Sequence, residues 1–240
     1  MLNILILENN PIICKNLINK IQSSELSAKV FNIAYSESEA LEILKNNIID
    51  ITILNINNCS INFIKFIKKY FVNMSVIAFT LYSKNFKNYL KYKHIFYELI
   101  QNEPIEQNVF NSLIKLIRLK ADSKKHLLSN IYDELEKIHF DLGYKGTQYL
   151  CECILLIYPF NCDRININNV VYTKVSQKYN SNINNIKCGI YQAAYRCYQY
   201  YHSDLETYFN RKIVKKPTTK EIINEIIKHI IQKKQSANVS

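Results

Sequence analysis

Apolar positions in the first 120 residues switch repeatedly between two periods. Short apolar, β-branched runs predict strands at 3–7 (NILIL), 28–34 (AKVFNIA), 50–55 (DITILN), 75–80 (SVIAFT) and 94–100 (HIFYELI). Between them, apolar residues fall at three-to-four spacing. This predicts helices at 11–22, 37–47, 61–71 and 84–92, and a closing helix at 104–120. Pro11 suits a first helical turn, and Ser36 with Glu39 has capping-box spacing. Five strand–helix units imply a doubly wound, five-stranded parallel sheet covered on both faces, with its crevice at the carboxyl ends of the strands.

After residue 120 the strand signal stops. The polar stretch 121–128 is expected as a linker between a domain at 1–120 and a helical one at 129–240. Helical spacing returns at 131–146, where Gly143 and Gly146 are expected to end the helix, and at 146–158, before Pro159. It recurs at 168–180, 183–201, 205–210 and 217–234, with Thr218 or Thr219 as a cap for the last. The pair 168–180 and 183–201, joined by a tight polar turn, has helix-turn-helix spacing. In its second helix Ile186, Ile190, Ala193, Ala194 and Cys197 form the stripe expected to face a core.

Composition narrows the function. Three glycines and four prolines in 240 residues argue against a glycine-cradled nucleotide site. The net charge of +11 is uneven: residues 164–240 hold 13 basic and 4 acidic side chains, against 16 and 10 in residues 1–125. A basic C-terminal third points to a polyanionic partner, double-stranded DNA first. The seven cysteines have no zinc-ligand spacing and read as reduced thiols. No apolar run reaches the length that spans a bilayer, and MLNILIL reads as a strand rather than a signal peptide, so a cytoplasmic location without a membrane partner is expected. The five histidines are scattered and no nucleophile–base pair emerges, so neither an enzyme nor a cofactor or metal is expected.

The residues at the strand ends are Glu8-Asn9 after the first strand, Asn55 after the third, Thr80 after the fourth, and Glu103-Pro104 after the fifth. Residues 1–119 resemble the receiver domain of bacterial response regulators. The resemblance implies an acidic pair holding magnesium, an aspartate that accepts a phosphoryl group, a Ser/Thr, and a Lys before Pro. Here Glu8 matches the first acid, Asn9 replaces the second, Asn55 replaces the acceptor, Thr80 matches the hydroxyl, and Glu103 stands in place of the Lys. An amide does not form the acyl phosphate that a carboxylate would, and magnesium prefers anionic oxygens. The pattern is therefore expected to be a receiver with a degenerate phosphorylation pocket, in which Thr80 has no task.

Residues 129–230 resemble the DNA-binding domain of the stage-zero sporulation protein A family. The matches, in order, are DLGYKGTQYL (141–150), VYTKVSQKYNSNINNI (171–186), IYQAAYRCYQ and KKPTTKEIINEI (215–226). The resemblance implies an all-helical helix-turn-helix domain that controls transcription at sporulation genes. From the residues themselves, Asn184, Lys187, Cys188, Tyr191 and Tyr195 share a face of the second helix, with Gln192 beside them. Asn and Gln suit adenine, Lys suits guanine or phosphate, and Tyr suits phosphate or a thymine methyl. Lys145, Lys174, Lys178, Lys215 and Lys216 supply phosphate-directed charge nearby. Where the family has an Arg/Glu-rich reading face, this chain has Asn185, Lys187, Cys188 and Tyr191, which puts the family's target sequence in doubt. The expected function is a DNA-binding transcriptional regulator acting without aspartyl phosphorylation. Its first half would serve as a module for pairing with a second copy or another receiver. The alternative is a protein–protein regulator that titrates an authentic response regulator or a phosphotransfer protein.

Overall fold

The computed structural model describes residues 1–71, 74–80, 98–101, 106–159, 162 and 167–237. The chain divides into two compact units, Met1–Lys124 and Lys125–Ser240.

In the first unit, β1 (Leu2–Leu7), β2 (Ala28–Ala34), β3 (Ile51–Asn55) and β4 (Ser75–Thr80) form a parallel sheet, and β5 (Glu98–Gln101) pairs with β4. The order is β2-β1-β3-β4-β5, the doubly wound order whose switch point lies between β1 and β3. One face of the sheet, with Ile4, Ile6, Ile51, Ile53, Ile77 and Phe79, packs against Cys14, Leu17 and Ile21 of α1 (Pro11–Gln22) and Val109, Phe110, Leu113 and Ile117 of α4 (Glu106–Lys137). The other face, with Leu5, Leu7, Leu54, Val76 and Ala78, packs against Ala40 and Leu44 of α2 (Glu37–Asn46) and Phe63, Ile64 and Ile67 of α3 (Ile61–Tyr70). β3 and β4 are buried at every position because both faces are covered. β2, at the edge, is mostly half-buried or exposed and includes Lys29 and Asn32.

Local chemistry sets the helix starts. Asn10 Oδ1 accepts from the backbone N–H of Ile12 and Ile13, with Pro11 in the first turn, and Ser36 Oγ accepts from Glu39 N. The expected helix at 84–92 and residues 94–97 of the expected fifth strand lie outside the described residues.

The helices expected at 104–120 and from 131 are one helix, α4, and the expected linker 121–128 is helical within it. This stretch is polar but contains neither Gly nor Pro, so nothing in it breaks a helix. α4 stops at Lys137, before the expected glycine stop. His139 adopts a left-handed φ of 59°, which turns the chain out of the helix.

The second unit continues with α5 (Lys145–Ile157), a π-helical turn (Ile167–Val171), α6 (Tyr172–Lys178), α7 (Ile183–Tyr200), α8 (His202–Phe209) and α9 (Thr219–Ala237). Its core joins Ile131 and Leu135 of α4 to Leu150 and Ile154 of α5, Leu205 of α8, and Ile223, Ile226 and Ile230 of α9. Ile186, Ile190, Ala193, Ala194 and Cys197 of α7 are buried in that core, as their spacing predicts. Gly146 lies inside α5 rather than ending a helix. A Cβ there would sit 2.1 Å from Gly189 O of α7, so the two backbones meet where neither residue has a side chain. Among the described residues no helix is long and apolar enough to cross a membrane.

Candidate nucleic-acid interface and strand-end pocket

Three expected pocket residues converge at the carboxyl ends of the strands. Glu8, Asn55 and Thr80 are all buried. Glu8 Oε2 accepts from Asn55 Nδ2 at 2.8 Å. Glu8 Oε1 accepts from Asn58 Nδ2 at 2.7 Å and from Asn10 N at 2.9 Å. The backbone N–H of Asn57 donates to Asn55 Oδ1 at 3.0 Å, which orients the Asn55 amide with its NH2 toward Glu8. Asn57 Nδ2 in turn donates to Thr80 Oγ1 at 3.0 Å, so Thr80, expected to have no task, ties β4 to the turn after β3. Asn9 is exposed, and Glu103 lies outside the described residues. The sequence reading gave no role to Asn10, Asn57 or Asn58, although the run NINN from the last residue of β3 places three carboxamides there.

The buried carboxylate is therefore met by three N–H donors, the arrangement that a desolvated charge requires. The magnesium ion that the receiver resemblance implies does not fit these residues. Glu8 is the single carboxylate among Glu8, Asn9 and Asn55, both its oxygens already accept, and Asn55 presents hydrogens rather than a lone pair. Two thiols border the network: Cys14 Sγ donates to Glu8 O and Cys59 Sγ to Asn55 O. Burial pushes Cys14 up to about 11, with Glu8 adding to it, and Cys59 up to about 12, with Glu37 adding to it, so both stay protonated near neutrality.

In the second unit, α6 and α7 are joined by a turn in which Asn180 takes a left-handed φ of 47°. Asn182 Oδ1 caps α7 by accepting from Asn185 N at 2.7 Å. Opposite the buried stripe, Asn184, Lys187, Cys188, Tyr191, Gln192 and Tyr195 are all exposed, and Asn185 and Arg196 join them. Tyr191 and Tyr195 stack with ring centroids 6.1 Å apart, and Gln199 Nε2 donates to Tyr195 Oη at 2.8 Å.

The lysines divide by what holds them. Lys216 Nζ lies 4.2 Å from the centroid of the Tyr191 ring, and burial lowers its pKa, partly offset by Glu221. That contact brings the 213–217 segment to α7, where Tyr198 Oη donates to Val214 O at 3.1 Å. Lys187 Nζ sits 5.5 Å over the Tyr172 ring. Lys178 is ion-paired with Glu152, and Lys174 is half-buried, with its pKa lowered by burial. Lys145, in the first turn of α5, and Lys215 are exposed. Arg196, a further cation that the sequence reading did not single out, places its guanidinium 4.5 Å over the Tyr144 ring. Six of the seven cysteines are buried; Cys188, on the outward face of α7, is exposed.

Residues 131–230 match the family described as sporulation initiation factor Spo0A C terminal. No curated protein matches the chain in sequence. Among solved structures, a response regulator receiver domain protein from Clostridium thermocellum is similar, with 23% identity and a TM-score of 0.44 over 53% of this chain and 99% of that one. The receiver domain of AraT, a response regulator from Geobacillus stearothermophilus, is 16% identical, with a TM-score of 0.46 over 52% of this chain and 98% of its own. RcsB from Salmonella enterica serovar Typhimurium, in a structure bound to promoter rprA, is 15% identical, with a TM-score of 0.42 over 47% of this chain and 96% of its own. The strand order of the first unit is the flavodoxin-like doubly wound order, one that receiver domains share with other folds. Residues 131–230 thus match the Spo0A C-terminal family, and they follow a unit built on a doubly wound parallel sheet.

Proposed function

We infer that this protein is a DNA-binding transcriptional regulator of the sporulation type that works in the cytoplasm without aspartyl phosphorylation. The observation that carries the inference is the hydrogen bond from Asn55 to Glu8. At the position where a receiver keeps its phosphoryl acceptor, this chain has an amide whose NH2 is committed to the carboxylate beside it. The DNA-binding half rests on the outward face of α7, with Lys145 and Lys215 exposed as phosphate partners. The receiver-like unit then serves for pairing, with a second copy or with another receiver.

The test has two arms on the full-length protein. Incubation with acetyl phosphate and magnesium leaves no acid-labile adduct, and duplex binding is the same before and after. A stoichiometric adduct that changes DNA affinity refutes phosphorylation-independence. Absence of duplex binding at low salt refutes the DNA reading.

One observation favours a second reading. Lys187 and Lys216 lie over tyrosine rings and Lys178 is paired with Glu152, so part of the basic charge near α7 is held within the unit. A protein that titrates an authentic response regulator through its receiver-like unit would tolerate this, and it is the reading that survives if duplex binding is absent.

A further inference from the structure

We propose that the outward face of α7 selects A·T base pairs in the major groove. This rests on the DNA reading above and adds what the helix reads. Readout in that groove follows donor and acceptor geometry. Arg or Lys pairs with guanine O6 and N7, Glu or Asp accepts from cytosine N4, Asn or Gln pairs with adenine N6 and N7, and apolar groups meet the thymine methyl.

α7 contains no Asp or Glu, so it has no acceptor for cytosine of the usual kind. Its one arginine, Arg196, comes after its first three turns and stacks on Tyr144. Its one lysine, Lys187, is held over the Tyr172 ring. The row directly opposite the buried stripe is Asn184, Cys188, Tyr191 and Tyr195, with Gln192 alongside. Asn184 lies in the first turn, the part of a recognition helix that approaches base edges. Asn184 and Gln192 are exposed carboxamides able to donate to N7 and accept from N6 of adenine. Cys188 sits four residues from each, a small, weakly polar group of the kind that a thymine methyl can approach.

The experiment selects duplexes from a pool with a randomised core, using the full-length protein, and measures affinity for the selected site. A·T pairs dominate the selected core. Replacing core adenines by 7-deaza-adenine weakens binding, while replacing guanines by 7-deazaguanine does not. Asn184→Ala and Gln192→Ala each lower discrimination between selected and random duplexes by roughly 5- to 150-fold, the range of one bidentate contact. Asn184→Arg, with folding checked by circular dichroism, moves the preferred base at one position to guanine. A selected core containing G·C pairs that depends on guanine N7 and is unaffected by Asn184→Ala and Gln192→Ala overturns the inference and leaves the DNA reading standing. Failure to bind any duplex at low salt overturns both.

Discussion

Asn55 Nδ2 donates to Glu8 Oε2 across 2.8 Å, joining residues 47 positions apart at the switch point of the sheet. The bond accounts for two features together. It neutralises part of a carboxylate that is 1% exposed, and it fixes the end of β3 so that Asn57 can reach Thr80. A second carboxylate in place of the amide would put two negative charges within hydrogen-bond distance of each other.

Asn55→Asp is therefore expected to destabilise the first unit by about 1–3 kcal/mol at neutral pH, because the hydrogen bond becomes a repulsion. The loss should shrink at acid pH, where the new carboxyl can be protonated and donate to Glu8. Urea denaturation at two pH values measures it. Equal stability of the two proteins at neutral pH would show that the amide network carries no weight.

Gly146→Ala places a Cβ 2.1 Å from Gly189 O and 2.5 Å from Gly189 C, both backbone atoms, so α5 and α7 must separate. The expected cost is about 1–3 kcal/mol or more, as for overpacked cores. Gly189→Ala meets only the Tyr149 ring edge at 3.2 Å and the Gly146 Cα at 3.4 Å, and should cost less. Thermal unfolding of the two variants gives the order. The reverse order would contradict the backbone crossing.

Lys145→Ala and Lys215→Ala should weaken selected and random duplexes alike. Each should reduce the slope of log affinity against log salt by about 0.9, as the loss of one phosphate contact does. Lys178→Ala should change the slope less, because its ammonium is already paired with Glu152. Salt titrations of the three variants decide it.

The start of α9 gives a pH prediction. Thr218 Oγ1 accepts from Glu221 N, and Glu221 Oε2 accepts from Thr218 N and Oγ1, a capping box, while Glu221 Oε1 accepts from Arg211. Hydrogen bonds from the Thr218 backbone and hydroxyl, then from Arg211, hold Glu221 at about 2, against an ordinary 4.5. A depressed folded-state pKa adds stability above the unfolded value, and that stability is lost as pH falls through the folded one. The Glu221 contribution is thus present above about 4.5 and gone near about 2. Glu221→Gln should remove this pH dependence, and Thr218→Ala should cost about 1 kcal/mol at neutral pH. Stability curves across that window should converge for wild type and Glu221→Gln at the acid end.

The strand runs, the helix stripes and the buried face of α7 were legible in the sequence, because periodicity along one element already encodes which side it buries. That an amide, Asn55, ends β3 was legible too, as a residue identity at a strand end. The partners that meet these residues were not legible. Glu8 meets Asn58 from 50 positions away, Lys178 meets Glu152 from 26, and the two glycines of the α5–α7 crossing are 43 apart by their numbers. Such partners are set by how elements pack, and no local pattern carries that information. The same holds for α4: its polar middle is compatible with an irregular link or with a helix, and it is helical in the fold. Gly146 makes the distinction sharpest. From the sequence it is a helix breaker, since a glycine has the most backbone freedom to lose. In the tertiary structure it sits within α5, because a second backbone passes where its side chain would have been.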